Sequence, residues 1–397
     1  MEMTTGWSTL IDTKEAVDQA FLEISKGPSF DPQIVFIYCS ENYDASTLLT
    51  EINRLAPHAS IHGGTSCLGV MTEEGFHSNG GKGLGLLALS DPEGHYGVGY
   101  AKLENDPRKS STLAVKKALE NSQCQGQVPA MIWMTAAPGT EEEVIQGIQD
   151  VVGTEVPITG GSSADNEIAG NWSQFANSTV LRNSVVITVM FPSTNPMFSF
   201  HSGYEPTAYS GIVTEATGRV INKIDNKPAA EVYNRWANNI IADQLPHGGN
   251  ILSTTTLFPL GRAVGDVSGI PYYRLAHPDT VTKNGGLSLF ADIQIGDKLV
   301  LMSGTKDSLV NRAGRVASAS LAEHSTDAQQ VSGALVVYCA GCMLAVQDRM
   351  NDVVKGVKDA LGNKPFLGLF TFGEQGCFVG GENRHSNLMI SVLTFSK

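Results

Sequence analysis

Side chains that could do chemistry are concentrated at the ends of short apolar segments. In parallel α/β sheets, ligands bind outside the carboxyl ends of the strands, where glycines let a ligand approach the backbone amides closely. The residues at these ends are Cys39, Ser40, His62, Thr65, Ser66 and Cys67, then Thr135, Thr159, Ser162, Ser163, Asp165 and Asn166, and then Cys339, Cys342, Thr371, Glu374 and Cys377. Small residues at strand ends also simply make turns, so this alternative stays open. We predict a ligand site lined by His62, Ser66, Cys67, Ser163, Cys339, Cys342, Glu374 and, nearer the C-terminus, His385.

The segment Cys339-Ala340-Gly341-Cys342 is a C-x-x-C motif at a predicted strand end and helix start. A helix N-terminus lowers the pKa of a thiol, so this placement is typical of a redox-active dithiol. The alternative is a pair of small, partly buried cysteines without redox activity. A zinc site would need a second cysteine pair at close spacing, and the other four cysteines provide none.

The nine histidines include no H-E-x-x-H motif and no paired spacing, so a metalloenzyme of that type is not indicated. A haem, in contrast, needs only one axial histidine or thiolate. His62 at a strand end and His385 in the last turn are the candidate metal ligands, and a satisfied polar residue is the alternative for each. The sequence also lacks a G-x-S-x-G nucleophile motif, a P-loop and a G-x-G-x-x-G that opens a helix.

The elements that must position these residues recur three times along the chain. A buried strand, a helix, a strand with a glycine-rich end and a last strand are predicted at 33–39, 45–55, 60–66 and 84–89. The same order follows at 131–135, 142–152, 157–163 and 184–191, and again at 335–339, 344–361, 366–374 and 388–395. A further helix precedes each copy and starts at a capping residue, near Asp12, Asp106 and Thr305.

This pattern predicts an α/β fold of three repeated strand-helix-strand-strand units that form mixed sheets. Residues 200–297 break the pattern and are predicted to form an inserted, mostly β module. Its predicted elements are strands at 211–214, 218–224, 251–257 and 286–290 and a helix at 228–238. The predicted domains are 1–199, with two units, and 200–397, with the module and the third unit at 298–397.

The 397 residues carry 27 basic and 40 acidic side chains, a net charge of −13. This charge repels phosphate and no basic run is present, so a nucleic-acid partner is not expected. The longest strongly apolar run, 185–191, is too short to span a bilayer, and the N-terminus shows no secretory signal. Six cysteines in a chain of this length do not form a disulfide framework, so we expect a cytoplasmic protein.

Four segments resemble the FIST family of sensory proteins, which pairs an N-terminal with a C-terminal FIST domain. Residues 63–70 resemble the family's N-domain turn, roughly G-C-S-T-A-G-E-I, with Gly69 in place of the acidic residue. Residues 339–342 resemble a C-x-G-R-like turn in which Cys342 replaces the arginine. Residues 372–375 keep the Gly-Glu of a Y-G-E-I-like turn, and His385 matches the histidine before the last strand. Residues 213–233 resemble the start of the family's C-domain.

The resemblance implies a small-ligand sensor rather than an enzyme. The family has been linked to amino-acid-like ligands, and its stand-alone members of about this length resemble nitric-oxide-sensing haemoproteins that act on a partner histidine kinase. The resemblance therefore implies haem as a cofactor, nitric oxide as a signal and a histidine kinase as a partner. An anionic ligand would lose a contact here, because the thiol of Cys342 cannot form the bidentate pair that arginine forms with a carboxylate.

Two other functions stay open at this point. One is a thiol redox protein that uses Cys339 and Cys342, and the other is an interaction scaffold whose strand-end pockets are empty. No kinase, cyclase or receiver segment is recognised, so a signal is expected to pass through a partner protein. The sequence fixes neither the ligand nor the partner, and it leaves a homo-oligomer open.

Overall fold

The structure of the chain, a computed structural model, describes residues 1–26, 31–267, 270–378 and 380–397. The first unit contains β1 (Glu2–Ser8), α1 (Thr13–Ile24), β2 (Ile34–Cys39), α2 (Ala45–Leu55), β3 (Ser60–Thr65), β4 (Val70–Thr72), β5 (Gly75–His77) and β6 (Leu84–Ser90). The second unit contains β7 (His95–Lys102), α3 (Pro107–Asn121), β8 (Met131–Ala136), α4 (Glu141–Val152), β9 (Ile158–Ser162), β10 (Gln174–Ala176), β11 (Thr179–Leu181) and β12 (Ser184–Phe191).

The third unit begins with β13 (Met197–Ser202) and is then interrupted by the inserted module. The module contains β14 (Glu205–Thr217), β15 (Val220–Ile224), β16 (Lys227–Pro228), α5 (Ala229–Trp236), β17 (Gly249–Asn250), α6 (Leu252–Thr255), β18 (Leu260–Val267), β19 (Ile270–Ala276), β20 (Pro278–Val281), β21 (Leu287–Leu289) and β22 (Lys298–Ser303). The third unit resumes with α7 (Lys306–Ala322), β23 (Val331–Cys339), α8 (Ala340–Ala345), α9 (Met350–Ala360), β24 (Phe366–Thr371), β25 (Glu374–Cys377), β26 (Asn383–Ser386) and β27 (Met389–Ser396).

Each unit forms a six-stranded sheet with an equivalent strand order. The orders are β1-β6-β2-β3-β10-β11, β7-β12-β8-β9-β25-β26 and β13-β27-β23-β24-β4-β5. The two central strands of each sheet are parallel, and the strands on both sides of them run antiparallel. These sheets confirm the predicted α/β fold of three repeated units with mixed sheets.

The last two strands of every sheet come from a different unit. The second unit gives β10 and β11 to the first sheet, the third gives β25 and β26 to the second, and the first gives β4 and β5 to the third. Backbone hydrogen bonds also connect these pairs of units. The N–H of Ala164 donates to the carbonyl of Thr65 at 2.9 Å, and Cys67 donates to Phe370 at 3.0 Å. The carboxyl ends of β3, β9 and β24 therefore lie against one another.

Each sheet is buried on both faces, because one face meets the other two sheets and helices cover the opposite face. Phe36 of the first sheet lies in an apolar core with Trp133 of the second and Leu335 of the third. The alternate residues of β2, Val35 and Ile37, pack in the core that includes α1 and α2. This double burial explains why the central strands are continuous apolar runs rather than alternating ones.

The first helix of each unit begins at its predicted capping residue. The side chains of Asp12 and Asp106 each accept a hydrogen bond from the backbone N–H three residues later. Thr305 exchanges reciprocal hydrogen bonds with Ser308 at the start of α7. These contacts satisfy amide donors that have no partner within the first helical turn.

Some predicted elements differ from the structure. Each unit starts with an edge strand, β1, β7 or β13, that we did not predict, because these strands alternate buried and exposed residues only weakly. The strand predicted at 251–257 is wrong, because Leu252–Thr255 form the short helix α6. The Asn250 side chain precedes it and accepts a hydrogen bond from the Leu252 N–H at 3.1 Å. The single helix predicted at 344–361 is divided into α8 and α9 by the 3-10 turn Gln347–Arg349.

The inserted module is mostly β, in agreement with the prediction. Its sheet runs β17-β20-β21-β15-β14-β22-β18-β19, with β16 beside β15, and α5 packs into its apolar core through Tyr233 and Trp236. β22 pairs with β14 inside the module, and β13 pairs with β27 in the third sheet. The division into domains 1–199 and 200–397 stays a prediction.

Candidate functional site

A cavity of about 290 Å³ lies where the strand ends of the three units meet the module. The first and second units line it with Cys67, Asn166, Glu167 and Ile168. The third unit contributes Cys339, Ala340, Gly341, Leu344, Ala345, Thr371, Phe372 and Asn387, and the module contributes Leu252, Ser253, Thr256, His277 and Phe290. The lining is mainly apolar with a few polar groups, which is typical of small-molecule sites, and the volume is near the lower end of their range of ~300–1,000 Å³.

Gly341 keeps the space between two reactive side chains open. A β-carbon at this position would lie 3.5 Å from Cε1 of His277 and 3.7 Å from Sγ of Cys339. Those are ordinary contact distances, so a β-carbon here would take up part of this space without displacing its neighbours. The sulfur of Cys339 and the ring of His277 therefore both face the space beside Gly341.

His277 presents a hydrogen-bond acceptor to this volume. Its Nε2 lies 3.1 Å from the backbone carbonyl of Leu252, so this nitrogen carries the proton and donates it. Burial lowers the pKa of His277 to about 4, and the ring is neutral at pH 7. Its Nδ1, on the side that faces Gly341, is then unprotonated and accepts hydrogen bonds.

The charge of the lining is acidic. Among the lining residues that the structure describes there is no lysine or arginine, and Glu167 is exposed at the mouth. Leu344 and Ile168, which also line the cavity, remain 49 % and 44 % exposed. A carboxylate in the cavity would therefore lack a cationic partner, whereas an N–H group has His277 as a partner.

Glu374 lies behind the lining and orients one of its members. The hydroxyl of Thr371 donates to one Glu374 carboxyl oxygen at 2.8 Å, and the Met389 N–H donates to the other at 3.0 Å. Burial raises the pKa of Glu374 to about 8, so the carboxyl is protonated at neutral pH. The structure therefore places Glu374 in contact with the site-lining Thr371 rather than in the cavity itself.

Cys342 lies beneath the cavity, next to Cys339. Its sulfur is 3.5 Å from the Tyr204 hydroxyl, and the two thiols form a hydrogen bond with each other. Burial alone would raise the pKa of Cys342, but the hydrogen bond from Cys339 and the positive charge of Arg312 outweigh it and lower that pKa. Burial raises the pKa of Cys339 well above its usual range. The proton of the pair therefore stays on Cys339.

The two serines predicted in the site lie outside the lining. The Ser66 hydroxyl donates to the Gly69 carbonyl at 2.6 Å and accepts from the Phe370 N–H at 2.8 Å. The Ser163 backbone N–H donates to Ala136 at 2.8 Å. These serines hold the ends of neighbouring strands in place, whereas Cys67 and Cys339 reach the cavity.

The two histidines predicted as metal ligands do not fit a haem. Both ring nitrogens of the buried His62 lie 2.8 Å from threonine hydroxyls, and burial lowers its pKa to about 3. His385 uses its Nδ1 with Gln375 at 3.1 Å and its Nε2 with the Phe290 carbonyl at 3.2 Å. Neither histidine lines the cavity, and an axial ligand would have to break one of these hydrogen bonds.

His385, one of the predicted metal ligands, lies beside a buried network of ion pairs. Glu141, Glu142 and His385 bring three potential ligand atoms within 4.8 Å of one another. Arg219 already donates to both carboxylates, at 2.9 and 2.7 Å, and Arg274 also pairs with Glu142. The two arginines compensate the charge of both carboxylates, so this cluster joins α4 to the module and we assign no metal to it.

The expectation that ligands bind at the carboxyl ends of the strands identified only part of this site. Cys67, Asn166, Cys339 and Thr371 come together as the sequence predicts, because the ends of the parallel strands meet. The module residues were missed, since they lie in segments with no repeat. The position of His277 could have indicated its role, because it directly follows the strand β19. The site residues of the repeated units were predicted from the same kind of position at the end of a strand.

Comparison with curated proteins gives one relative, which matches only part of the chain. A stretch of 90 residues, 22 % of the chain, is 34 % identical to an uncharacterised protein of Methanocaldococcus jannaschii. The match covers only 18 % of that relative's own length, so the chain spans less than two thirds of it. Nothing about the activity of the relative follows from its name.

Two structures of cyanuric acid hydrolase are similar to the whole chain. One, from A. caulinodans, has a TM-score of 0.40 and the other a TM-score of 0.36; each is 8 % identical, with 100 % of this chain and 99 % of the other covered. These proteins are enzymes, which contradicts our expectation that the chain is not an enzyme, and that expectation is withdrawn. The similarity is too low to support an argument about a reaction.

Family comparison confirms the resemblance drawn from the turns at 63–70 and 339–342. The FIST N domain matches residues 33–227, and the FIST C domain matches residues 229–377. The two matches together cover most of the chain. The chain therefore belongs to the FIST family, whose domains are sensory domains that bind small ligands in signal transduction.

Proposed function

We propose that the cavity binds a small ligand with an apolar body and an N–H donor group, and that ligand occupancy is the signal. The observation that carries this proposal is the neutral His277, whose Nδ1 accepts hydrogen bonds inside a mainly apolar cavity. An acceptor that faces an apolar cavity is stabilised by a donor, and a ligand N–H group supplies one.

The apolar body would pack against Phe290, Leu344 and Phe372, which line the cavity. Burial of apolar ligand surface on such side chains contributes about 25 cal/mol per Å². The acidic Glu167 at the mouth and the net charge of −13 attract cations. Amines and amides are thus the ligand class that we favour.

A carboxylate group is disfavoured by the same lining. A free amino acid, the ligand class that the family resemblance suggests, would bring a carboxylate into a cavity where no described lining residue is basic. Moving an unpaired charge out of water is costly. Loss of the family's arginine at Cys342 acts in the same direction.

Thermal unfolding of the full chain tests this charge preference with four probes that share one branched apolar body. The probes are 3-methylbutylamine, 4-methylpentanamide, 4-methylpentanoate and leucine. We expect the amine and the amide, at about 100 times their Kd, to raise the midpoint by about 3 °C, because ligand binding at that excess stabilises the native state by about 2.7 kcal/mol. The carboxylate should give no shift.

A larger shift with 4-methylpentanoate than with the amine would contradict the proposal. So would the absence of a shift with both the amine and the amide at millimolar concentrations. Ethylamine serves as the control for the charge alone, because it carries the ammonium group without the apolar body.

We further propose that a partner protein reads the occupied state, and that this partner is a histidine kinase. This proposal rests on the family resemblance. It is tested by measuring autophosphorylation of a co-purified kinase with and without 3-methylbutylamine. Haem and nitric oxide are not part of the proposal, because neither His62 nor His385 fits an axial ligand.

We also propose a cytoplasmic location. The six cysteines are free and buried, which suits a reducing compartment. Within the described ranges, the structure contains no helix with both the length and the apolar character required to cross a membrane.

A further inference from the structure

We infer that Cys339 is a site of oxidation by small hydroperoxides, and that Cys342 resolves the product to a disulfide. This is a thiol activity of the empty cavity, distinct from reversible ligand binding, and it does not depend on which ligand the cavity binds. Four observations carry it: access to Cys339, contact between the two sulfurs, a buried cation beside Cys342, and a different setting for the other cysteines.

Access is through the cavity. Cys339 is a lining residue and remains 6 % exposed, whereas Cys342 is fully buried beneath it. Hydrogen peroxide is only slightly larger than water, which takes about 30 Å³ in the liquid. The cavity of about 290 Å³ therefore admits a small hydroperoxide to the sulfur of Cys339.

The two sulfurs are already in contact. Cys339 is the last residue of β23 and the residue before the first turn of α8, and Cys342 lies in that turn. Their thiols form a hydrogen bond with each other. The two thiols that would form the disulfide therefore belong to one strand-to-helix turn and stand three residues apart in it.

The charge beside Cys342 favours a thiolate. Arg312 is 2 % exposed, and its Nη1 donates to the Leu388 carbonyl at 2.8 Å. Its Nε and Nη2 have no hydrogen-bond partner among the described residues, and no described carboxylate forms an ion pair with it. The guanidinium also lies over the ring of Tyr338, 5.3 Å from its centre. A buried cation without a carboxylate partner stabilises a negative charge at the Cys342 sulfur.

In the proposed reaction the peroxide is the oxidant and the dithiol of Cys339 and Cys342 is oxidised. The Cys342 thiolate takes the proton of Cys339, and the Cys339 sulfur attacks one peroxide oxygen, so the O–O bond breaks and hydroxide leaves. Hydroxide then takes the proton back from Cys342, which gives water. The Cys342 thiolate attacks the sulfenic sulfur of Cys339, the disulfide forms and a second hydroxide leaves. The dithiol loses two electrons and the peroxide gains them.

The other cysteines lack this setting. Cys67 also lines the cavity, but burial raises its pKa to about 12, and nearby Glu41 and Asp165 add to that increase. Burial likewise raises the pKa of Cys39 to about 12 and that of Cys377 to about 11. Cys339 is protonated as well, but the Cys342 thiolate beside it can take its proton. Among the residues that the structure describes, Cys67, Cys39 and Cys377 have no such cysteine partner, and a thiol that stays protonated reacts slowly with peroxide.

The experiment treats the reduced full chain, without added ligand, with a few molar equivalents of hydrogen peroxide. Free thiols are then counted after denaturation, and peptides are mapped by mass spectrometry. We expect the count to fall from six to four, with the loss of two hydrogens from the peptide that holds Cys339 and Cys342. A reductant should restore all six thiols.

Two variants assign the roles. Cys342→Ser should stop disulfide formation, and it should need more peroxide to oxidise Cys339, because it lacks the thiolate that takes the Cys339 proton. At that higher peroxide concentration it should leave a sulfenic acid at Cys339 that dimedone traps, while Cys377→Ser should behave like the wild type. Six unreacted thiols in the wild type, or a disulfide at any other pair, would overturn the inference. The wild-type mapping decides the matter even where a variant does not fold, and its outcome is independent of the amine and amide series.

Discussion

Replacing Gly160 with alanine should lower the free energy of unfolding by more than about 3 kcal/mol. Gly160 has a φ of +147°, which an alanine adopts only with strain. A β-carbon there would lie only 1.9 Å from the Met134 carbonyl oxygen of the adjacent strand β8. That oxygen belongs to the backbone of a buried strand and cannot turn away, so strain and overpacking add.

Gly139→Ala is the matched control, because it separates backbone strain from the steric clash. Gly139 has a φ of +124°, and no atom lies within 4 Å of a β-carbon built on it. Its replacement should cost roughly 1–2 kcal/mol, from strain alone. Urea unfolding measures both variants. Equal losses of stability would contradict the close approach of β9 to the β8 backbone at Gly160.

Replacing Glu142 with glutamine should lower the free energy of unfolding at pH 7 by about 3 kcal/mol. Glu142 pairs with Arg219 and Arg274, and it accepts a hydrogen bond from the Asp292 N–H at 3.0 Å. Arg274 is 8 % exposed, so the variant leaves a buried cation without its partner. Breaking a buried ion pair from one side typically costs about 3–5 kcal/mol.

The pKa of Glu142 predicts how the free energy of unfolding depends on pH. Burial opposes ionisation of Glu142, but His385 and the two arginines outweigh it and lower its pKa to about 2. Because the folded-state pKa lies below the unfolded value, the contribution is present above about pH 4.5 and is lost as the pH falls towards 2. The wild type should lose up to about 1.4 kcal/mol per pH unit in that window through Glu142, and Glu142→Gln should lack this contribution.

Glu120→Gln is the control for the removal of one carboxylate charge. Glu120 is 58 % exposed, and its one ion pair among the described residues is with the exposed Lys117 at 3.3 Å. Its replacement should therefore change stability by less than about 0.5 kcal/mol. If Glu142→Gln lost no more stability than this control at pH 7, the buried network would contribute nothing to the free energy of unfolding. Arg274 lies in β19, which leads directly to His277, so the network also holds the module side of the cavity.

The buried parts of the fold were the most predictable from the sequence. The central strands are runs such as Ile34–Cys39 and Met131–Ala136, and burial on both faces makes such runs apolar throughout. The exchanged strands were not predictable. β4, β5, β10 and β11 are three residues long, and their pairing depends on contacts between units rather than on local pattern.

The site was predictable only where the repeat defines it. Cys67 and Cys339 stand at strand ends, and the topology brings those ends together. His62 also stands on a strand that ends at this junction, but its ring is turned into the buried interface with Thr188 and Thr135. Residue position along a strand does not reveal which face of the sheet the side chain occupies when both faces are buried.

The position of the cavity allows a bound ligand to affect all parts of the chain. Its lining comes from all three units and from the module, so a bound ligand contacts every part of the chain that the exchanged strands connect. We expect ligand binding to stabilise the arrangement of these parts together, since any ligand that binds only the native state shifts the equilibrium towards it.

Calorimetric titration with 3-methylbutylamine tests the central claim, that this cavity is the ligand site. The wild type is compared with Leu344→Trp, which changes a half-exposed lining residue at the mouth, and with Leu113→Trp, which changes a similarly exposed leucine of α3 outside the lining. We predict one binding site in the wild type and in Leu113→Trp, and an affinity at least about tenfold lower in Leu344→Trp. Binding to Leu344→Trp with the wild-type affinity would contradict the claim.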